Sequence, residues 1–356
     1  MNQLEFLYEQ DLKKSNFLPR KIKISAKKTI ICGAKKSGKS YIIFDALHKR
    51  DKKKFLYIDF LDFRVDKESI MQNLSTFIDE KKITLLVLEN FDFSYQVPDC
   101  EEVIISTVAY KELDNFESIT VFPLDFEEFI AFDRHKLDPQ NIFNYYSSIG
   151  TYPQIVLSEK TNIGKNFQNL IQLISSSDLE FQLIKAYALS QGVMISSFQI
   201  FQQLKKEHKI SKDKFYTLTK KLQDEKIIFF LQKYQKPKAN KKIFLIDFAI
   251  KSVLTFHKYF NTRFENIIFL ELIKTDEEIF YTDFINFYLP KKDIAIITSL
   301  FVPQTILKTK LLRMQKHLHE HQIKKVEIIT LNIEHSFEEN GIFYEILPFW
   351  DWALQR

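Results

Sequence analysis

The chain has 356 residues, of which 45% are hydrophobic and 27% charged; this is the balance of a soluble globular protein, and the length calls for two or three domains. A net charge of +5 permits contact with nucleic acid without arguing for it, and the two cysteines, Cys32 and Cys100, lack metal-ligand spacing and suit a reducing compartment. No run reaches the roughly 18 apolar residues of a membrane span, and Glu5, Glu9, Asp11 and Lys13 interrupt any signal-peptide core. A cytoplasmic protein without membrane contact is expected.

In chain order, Thr29 to Cys32, Lys54 to Asp59, Ile83 to Leu88, Glu102 to Ser106 and Ser118 to Phe122 are β-rich runs alternating with helical stretches, the pattern of a parallel α/β sheet. After Pro123 helices take over, Phe126 to Phe132 and Asn141 to Ser147, leading to Gly150-Thr-Tyr-Pro153. Phe181 to Leu189, Ser197 to Glu207 and Ser211 to Gln223 read as three amphipathic helices, with Ser196 or Ser197 and Ser211 as N-caps. Two short strands follow, Ile227 to Leu231 and Lys242 to Ile246, an order that reads as a winged helix-turn-helix. Beyond Arg263 the pattern returns to mixed α/β, with strands near Ile279, at Ile294 to Ile297 and at Val326 to Leu331. The expected fold class is therefore α/β: a P-loop parallel-sheet domain over residues 1–135, a helical lid over 136–176, a winged-helix region over 177–258 and a mixed α/β domain over 259–356.

Gly33-Ala34-Lys35-Lys36-Ser37-Gly38-Lys39-Ser40 fits G-x-x-x-x-G-K-[ST], follows an expected strand and opens an expected helix at Tyr41. The glycines let the backbone wrap closely, so that successive N–H groups point at phosphate oxygens. Lys39 would reach the β and γ phosphates, and the Ser40 hydroxyl would serve Mg²⁺. A second metal-holding oxygen is expected at the C-terminal edge of a neighbouring parallel strand, where Leu85-Leu-Val-Leu88 ends in Glu89. The next residue, Asn90, cannot take a proton. Asp92 is the candidate substitute base, and Ser106 with Thr107 could set a hydroxyl near the γ-phosphate. No guanine-reading pattern is apparent, which favours ATP.

On these residues the chain resembles the prokaryotic AAA-like, STAND-type P-loop ATPases that carry a winged helix and a C-terminal domain related to restriction endonucleases. Further markers are Tyr57-Ile-Asp-Phe, Phe122-Pro-Leu-Asp-Phe-Glu-Glu-Phe, Lys242-Ile-Phe-Leu-Ile-Asp247, Phe264-Glu265-Asn266 and Leu347-Pro-Phe-Trp350. The resemblance implies an Mg²⁺-dependent ATP site and assembly of several copies. The family's usual Asp-Glu pair is here Glu89-Asn90, and its Gly-Arg pair is missing, leaving Arg134 as the nearest basic alternative. In the C-terminal domain Glu265 matches the first acidic position of the nuclease pattern. Asn286, Ile297 and Ser299 stand where Asp, Glu and Lys would be needed, so no cleavage chemistry is expected there.

Lys212, Lys214, Lys220 and Lys221 beside Tyr216 could meet duplex DNA. The expected function is an ATP-binding switch or slow ATPase; the alternative is a DNA-associated regulator with a mainly structural nucleotide site.

Overall fold

The computed structural model describes residues 3–12, 20–132, 138–256, 259–275, 277–301 and 304–356. The chain divides into two compact units, Met1–Pro123 with Asp224–Lys226, and Leu124–Gln223 with Ile227–Arg356. The expected lid and C-terminal regions fall within the second, as does the winged-helix region apart from Asp224–Lys226; Arg134 lies outside the described residues.

The first unit runs α1 (Gln3–Glu9), β1 (Lys28–Cys32), α2 (Lys39–Leu47), β2 (Phe55–Asp59), α3 (Lys67–Lys81), β3 (Leu85–Glu89), β4 (Glu102–Thr107) and β5 (Glu117–Thr120). Its strands form one parallel sheet in the order β2-β3-β4-β1-β5. Each of the five expected β-rich runs is a strand, with slightly shifted ends. Side chains alternate across a strand, and the apolar runs fill both faces. Ile30, Leu56, Ile58, Leu86, Leu88 and Ile105 pack with Leu4 and Leu7 of α1 and with Ile70 and Leu74 of α3. On the opposite face Ile31, Phe55, Leu85, Val87 and Ile104 pack with Ile42, Ile43 and Leu47 of α2. Burial on both faces is why these strands lack polar alternation. Asp66 starts α3 by accepting hydrogen bonds from the N–H groups of Glu68 and Ser69.

The second unit opens with α4 (Phe126–Phe132), α5 (Pro139–Ile149), α6 (Pro153–Val156) and α7 (Ile163–Ile174). Asp125 and Glu128 cap α4 reciprocally, each side chain accepting from the other's backbone N–H. There follow α8 (Asp178–Leu189), β6 (Met194–Ile195), α9 (Ser197–Glu207), α10 (Lys212–Asp224), β7 (Ile228–Leu231) and β8 (Lys241–Leu245), with the strands in an antiparallel sheet of order β6-β8-β7. Ser196 caps α9 in a capping box with Gln199, and Ser211 Oγ accepts from Lys214 N at the start of α10. Next come α11 (Ile250–Leu254), α12 (Phe260–Leu272), β9 (Phe287–Leu289), β10 (Ile294–Thr298), α13 (Gln304–Glu320), β11 (Lys325–Thr330), β12 (His335–Glu339), β13 (Ile342–Pro348) and α14 (Phe349–Leu354).

The last sheet has the order β12-β13-β11-β10-β9, with three parallel central strands and an antiparallel strand at each edge. The strand expected near Ile279 is absent: Phe280 and Tyr281 make only isolated bridges, and the nearest strand of the sheet is β9. Two side chains tie parts of this unit together. Asp247 accepts from Thr151 N at 2.6 Å, Thr151 Oγ1 at 2.9 Å and Ala249 N at 2.7 Å. Asn266 extends the end of β8 by pairing with both backbone groups of Leu245, each at 2.9 Å.

Candidate nucleotide site

Gly33 to Ser40 form the loop between β1 and α2, at the C-terminal edge of the parallel sheet. Gly33 is required by close approach: a Cβ there would lie 2.2 Å from the Val121 carbonyl oxygen. Ala34 and Ser37 are buried, Lys35 is half-buried, Lys36 is exposed, and Tyr41 lies on the first turn of α2 with half its surface open. Gly38 is the N-cap of α2 and supplies no side-chain acceptor, so no side-chain cap competes with an anion for the N-terminus of the helix. Arg20 braces the loop, donating to Ser37 O at 2.9 Å and Phe122 O at 2.8 Å.

Lys39 is buried and curls over the loop, its ammonium donating to Gly33 O at 2.6 Å and Ala34 O at 2.9 Å. Burial pulls its pKa down to about 8, against the opposing pull of Glu89. A cation held by neutral carbonyls in a desolvated loop has strong reason to accept an anion.

Sheet geometry brings Glu89 to Ser40. Leu85, Val87 and Glu89 share the face that α2 covers, and Ser40 Oγ donates to Glu89 Oε1. Contrary to the expectation from sequence, β3 is not the direct neighbour of β1: β4 lies between them, and the Glu89 side chain reaches α2 from the sheet face. Tyr57 Oη, from β2, donates to Glu89 Oε2. Burial raises the Glu89 pKa, and these two hydroxyls oppose the rise; the phenol of Tyr57 is itself pushed well above its ordinary value by burial and by Glu89.

Asn90 follows β3 and donates through Nδ2 to Asp59 Oδ1 at 2.8 Å. Asp92 lies further out on an exposed turn, where Lys67 and Ser94 bind its carboxylate and hold its pKa near 2. The carboxylate that the sequence offers as a substitute base is thus already engaged by a lysine. Ser106 and Thr107 end β4 beside Ile31 and Cys32.

The residues present suit a triphosphate with Mg²⁺. A hydroxyl and a carboxylate supply the hard oxygen donors that Mg²⁺ prefers. Two buried hydroxyls, Ser37 Oγ and Ser106 Oγ, have no hydrogen-bond partner among the described residues, and an oxygen-rich ligand could satisfy such groups. Sequence reasoning missed Tyr57 and Arg20 as members of the site. Tyr57 stood in a marker of the resemblance, whereas Arg20 carried no signal of its own.

Elsewhere, Glu265 pairs with Lys242 at 2.7 Å and accepts from Asn286 Nδ2 at 2.8 Å. Among the described residues no group of three or more His, Cys, Asp and Glu side chains could hold a metal. On α10, Lys221 pairs with the buried carboxylate of Glu180 at 2.8 Å and donates to Ser176 Oγ at 2.9 Å. No described helix is long and apolar enough to cross a membrane.

No family model matches the chain. It is similar to an uncharacterized protein of Methanocaldococcus jannaschii, 25% identical over 95% of this chain and 89% of that relative. Among solved structures it is similar to a Walker-type ATPase of Pyrococcus abyssi, at 11% identity, with a TM-score of 0.41 over 64% of this chain and 91% of that one. Neither likeness assigns a ligand to this chain; the case for one rests on the loop, the lysine and the acid that faces them.

Proposed function

We propose that this protein binds ATP with Mg²⁺ at the Gly33 to Ser40 loop and acts as a nucleotide-driven conformational switch or slow ATPase. The observation that carries the reading is a strand-loop-helix of the right sequence whose buried lysine is held by loop carbonyls and whose serine faces a buried acid. Backbone N–H groups and Lys39 would bind the phosphates; Ser40 and Glu89 would hold Mg²⁺, which supplies charge neutralisation between the phosphate oxygens. Asn90 and the ion-paired Asp92 leave no evident strong base, which favours a switch over a motor. The AAA-like, STAND-type assignment and assembly of several copies remain part of this reading on the strength of the sequence resemblance, and a cytoplasmic location on the strength of composition.

The test is calorimetric titration with ATP and Mg²⁺ together with a turnover assay. Lys39→Ala should weaken binding by about a hundredfold, the equivalent of ~2.7 kcal/mol; unchanged affinity would sink the assignment. Tight binding without turnover in the unaltered protein would mark the switch.

A second reading, a DNA-associated regulator, draws support from the winged-helix order of α8 to β8. A cleft of about 530 Å³ lies between α10 and the turn before β8, lined by Lys220, Lys238, Lys241 and Tyr216 and by no acidic residue. Phosphate contacts by such lysines give an affinity that falls steeply with salt. Fluorescence anisotropy with a labelled duplex should show binding at about 50 mM salt that weakens at least tenfold by about 200 mM; no binding at the lower concentration removes this reading.

A further inference from the structure

We infer that Tyr57 is a positioning residue of the nucleotide site: its phenol holds Glu89 in the rotamer that faces Ser40, so that a divalent cation arriving with a nucleoside triphosphate meets a carboxylate already in place. This inference rests on the nucleotide reading above.

Strand register is the first support. Tyr57 pairs with Val87, and Asp59 with Glu89, so Tyr57 and Glu89 stand on one face of the sheet as diagonal neighbours, within reach of long side chains. The hydrogen bonds are the second. Tyr57 Oη donates to Oε2 and Ser40 Oγ to Oε1, so the carboxylate cannot rotate without breaking one of them. Third, the Tyr57 ring packs on Phe44 with centroids 5.4 Å apart. Phe44 stands four residues after Ser40 on α2 and therefore on the same helix face. Serine, helix, phenol and acid thus form a closed circuit through α2, β2 and β3, in which each member limits the freedom of the next.

The circuit has a reason to exist because the acid is glutamate. One more rotatable bond than aspartate gives the free side chain more rotamers, and ordering them costs entropy. A neighbour that fixes a metal-binding carboxylate removes that cost before binding, and loss of such partners weakens metal affinity by about 10–100-fold. Tyr57 is suited to this in both states of the site. Ser40 must release Oε1 to turn its oxygen toward a cation, and the bond from Tyr57 to Oε2 does not compete with that change.

The experiment measures ATP affinity by calorimetry in Mg²⁺ and again in EDTA; the ratio is the metal-dependent gain. In Tyr57→Phe, which keeps the ring and its contact with Phe44, the gain should fall about tenfold, the affinity in Mg²⁺ dropping about tenfold more than that in EDTA. The Glu89→Asp carboxylate is too short to keep its bond to the phenol, so adding Tyr57→Phe to it should change the gain by less than about twofold. A full gain retained in Tyr57→Phe overturns the inference, including the case in which affinity falls equally in Mg²⁺ and EDTA, which would mean packing alone. Failure of the unaltered protein to bind ATP in either condition overturns the nucleotide reading and this inference together, whereas normal binding with an undiminished gain in Tyr57→Phe overturns only the inference.

Discussion

Gly150 has φ 89° and ψ −166°, a region of backbone space open essentially to glycine alone. A Cβ at this position would lie 2.5 Å from Asp247 Oδ1, and the carboxylate cannot retreat because Thr151 and Ala249 hold it from three donors. Gly150→Ala therefore combines backbone strain with a clash against a buried acid, and should destabilise the protein by about 2–4 kcal/mol. Calorimetric melting would show this as a drop of several degrees; an unchanged transition would mean the latch yields freely. The sequence marked both partners, Gly150-Thr-Tyr-Pro153 and Ile246-Asp247, without saying that they meet. Motif residues are visible one at a time, whereas a hydrogen bond spanning 96 positions depends on the fold. Lys39 and Ser40 were legible because their chemistry is local. Tyr57 was not, since its role depends on how β2 registers against β3.

Among the elements, the five strands of the first unit were readable because central parallel strands are continuous apolar runs. The β12–β13 hairpin was missed although Asn340-Gly341, a strong hairpin turn signal, joins the two strands. The polar, mostly exposed β12 hides the alternation that would have completed the pattern. On β11, Glu327 fastens α14 to the sheet: it accepts from Trp352 Nε1 at 2.8 Å and pairs with Arg356 at 2.6 Å and with Lys325 at 3.1 Å. Burial alone would push its carboxyl up, but Arg356, Trp352 and Lys325 outweigh burial and hold its pKa below the ordinary 4.5. At a pH between the depressed native value and the ordinary one, the unfolded chain binds more protons, so stability falls as pH falls. The contribution is complete above about pH 4.5 and is lost as pH drops through the native value. Melting curves from about pH 6 to pH 3 should fall less steeply for Glu327→Gln than for the unaltered chain; parallel curves would contradict the pairing.

At the scale of the whole molecule, composition and motif order predicted an α/β chain with a parallel P-loop sheet first and further helices and strands after it, which is the architecture found. Strand order was less legible. Sequence placed Glu89 on a strand end but could not tell that β4 intervenes between β1 and β3, because parallel strands joined by helices carry no local signal of who lies beside whom.

The edge strand β12 has a bearing on solubility and assembly. Open sheet edges invite strands from other molecules, and charged side chains are one means by which proteins discourage them. At β12, Glu338 and Glu339 would confront any chain that tried to extend the sheet on that side. On that side of the C-terminal sheet, the two like charges work against edge-to-edge pairing of strands from separate copies.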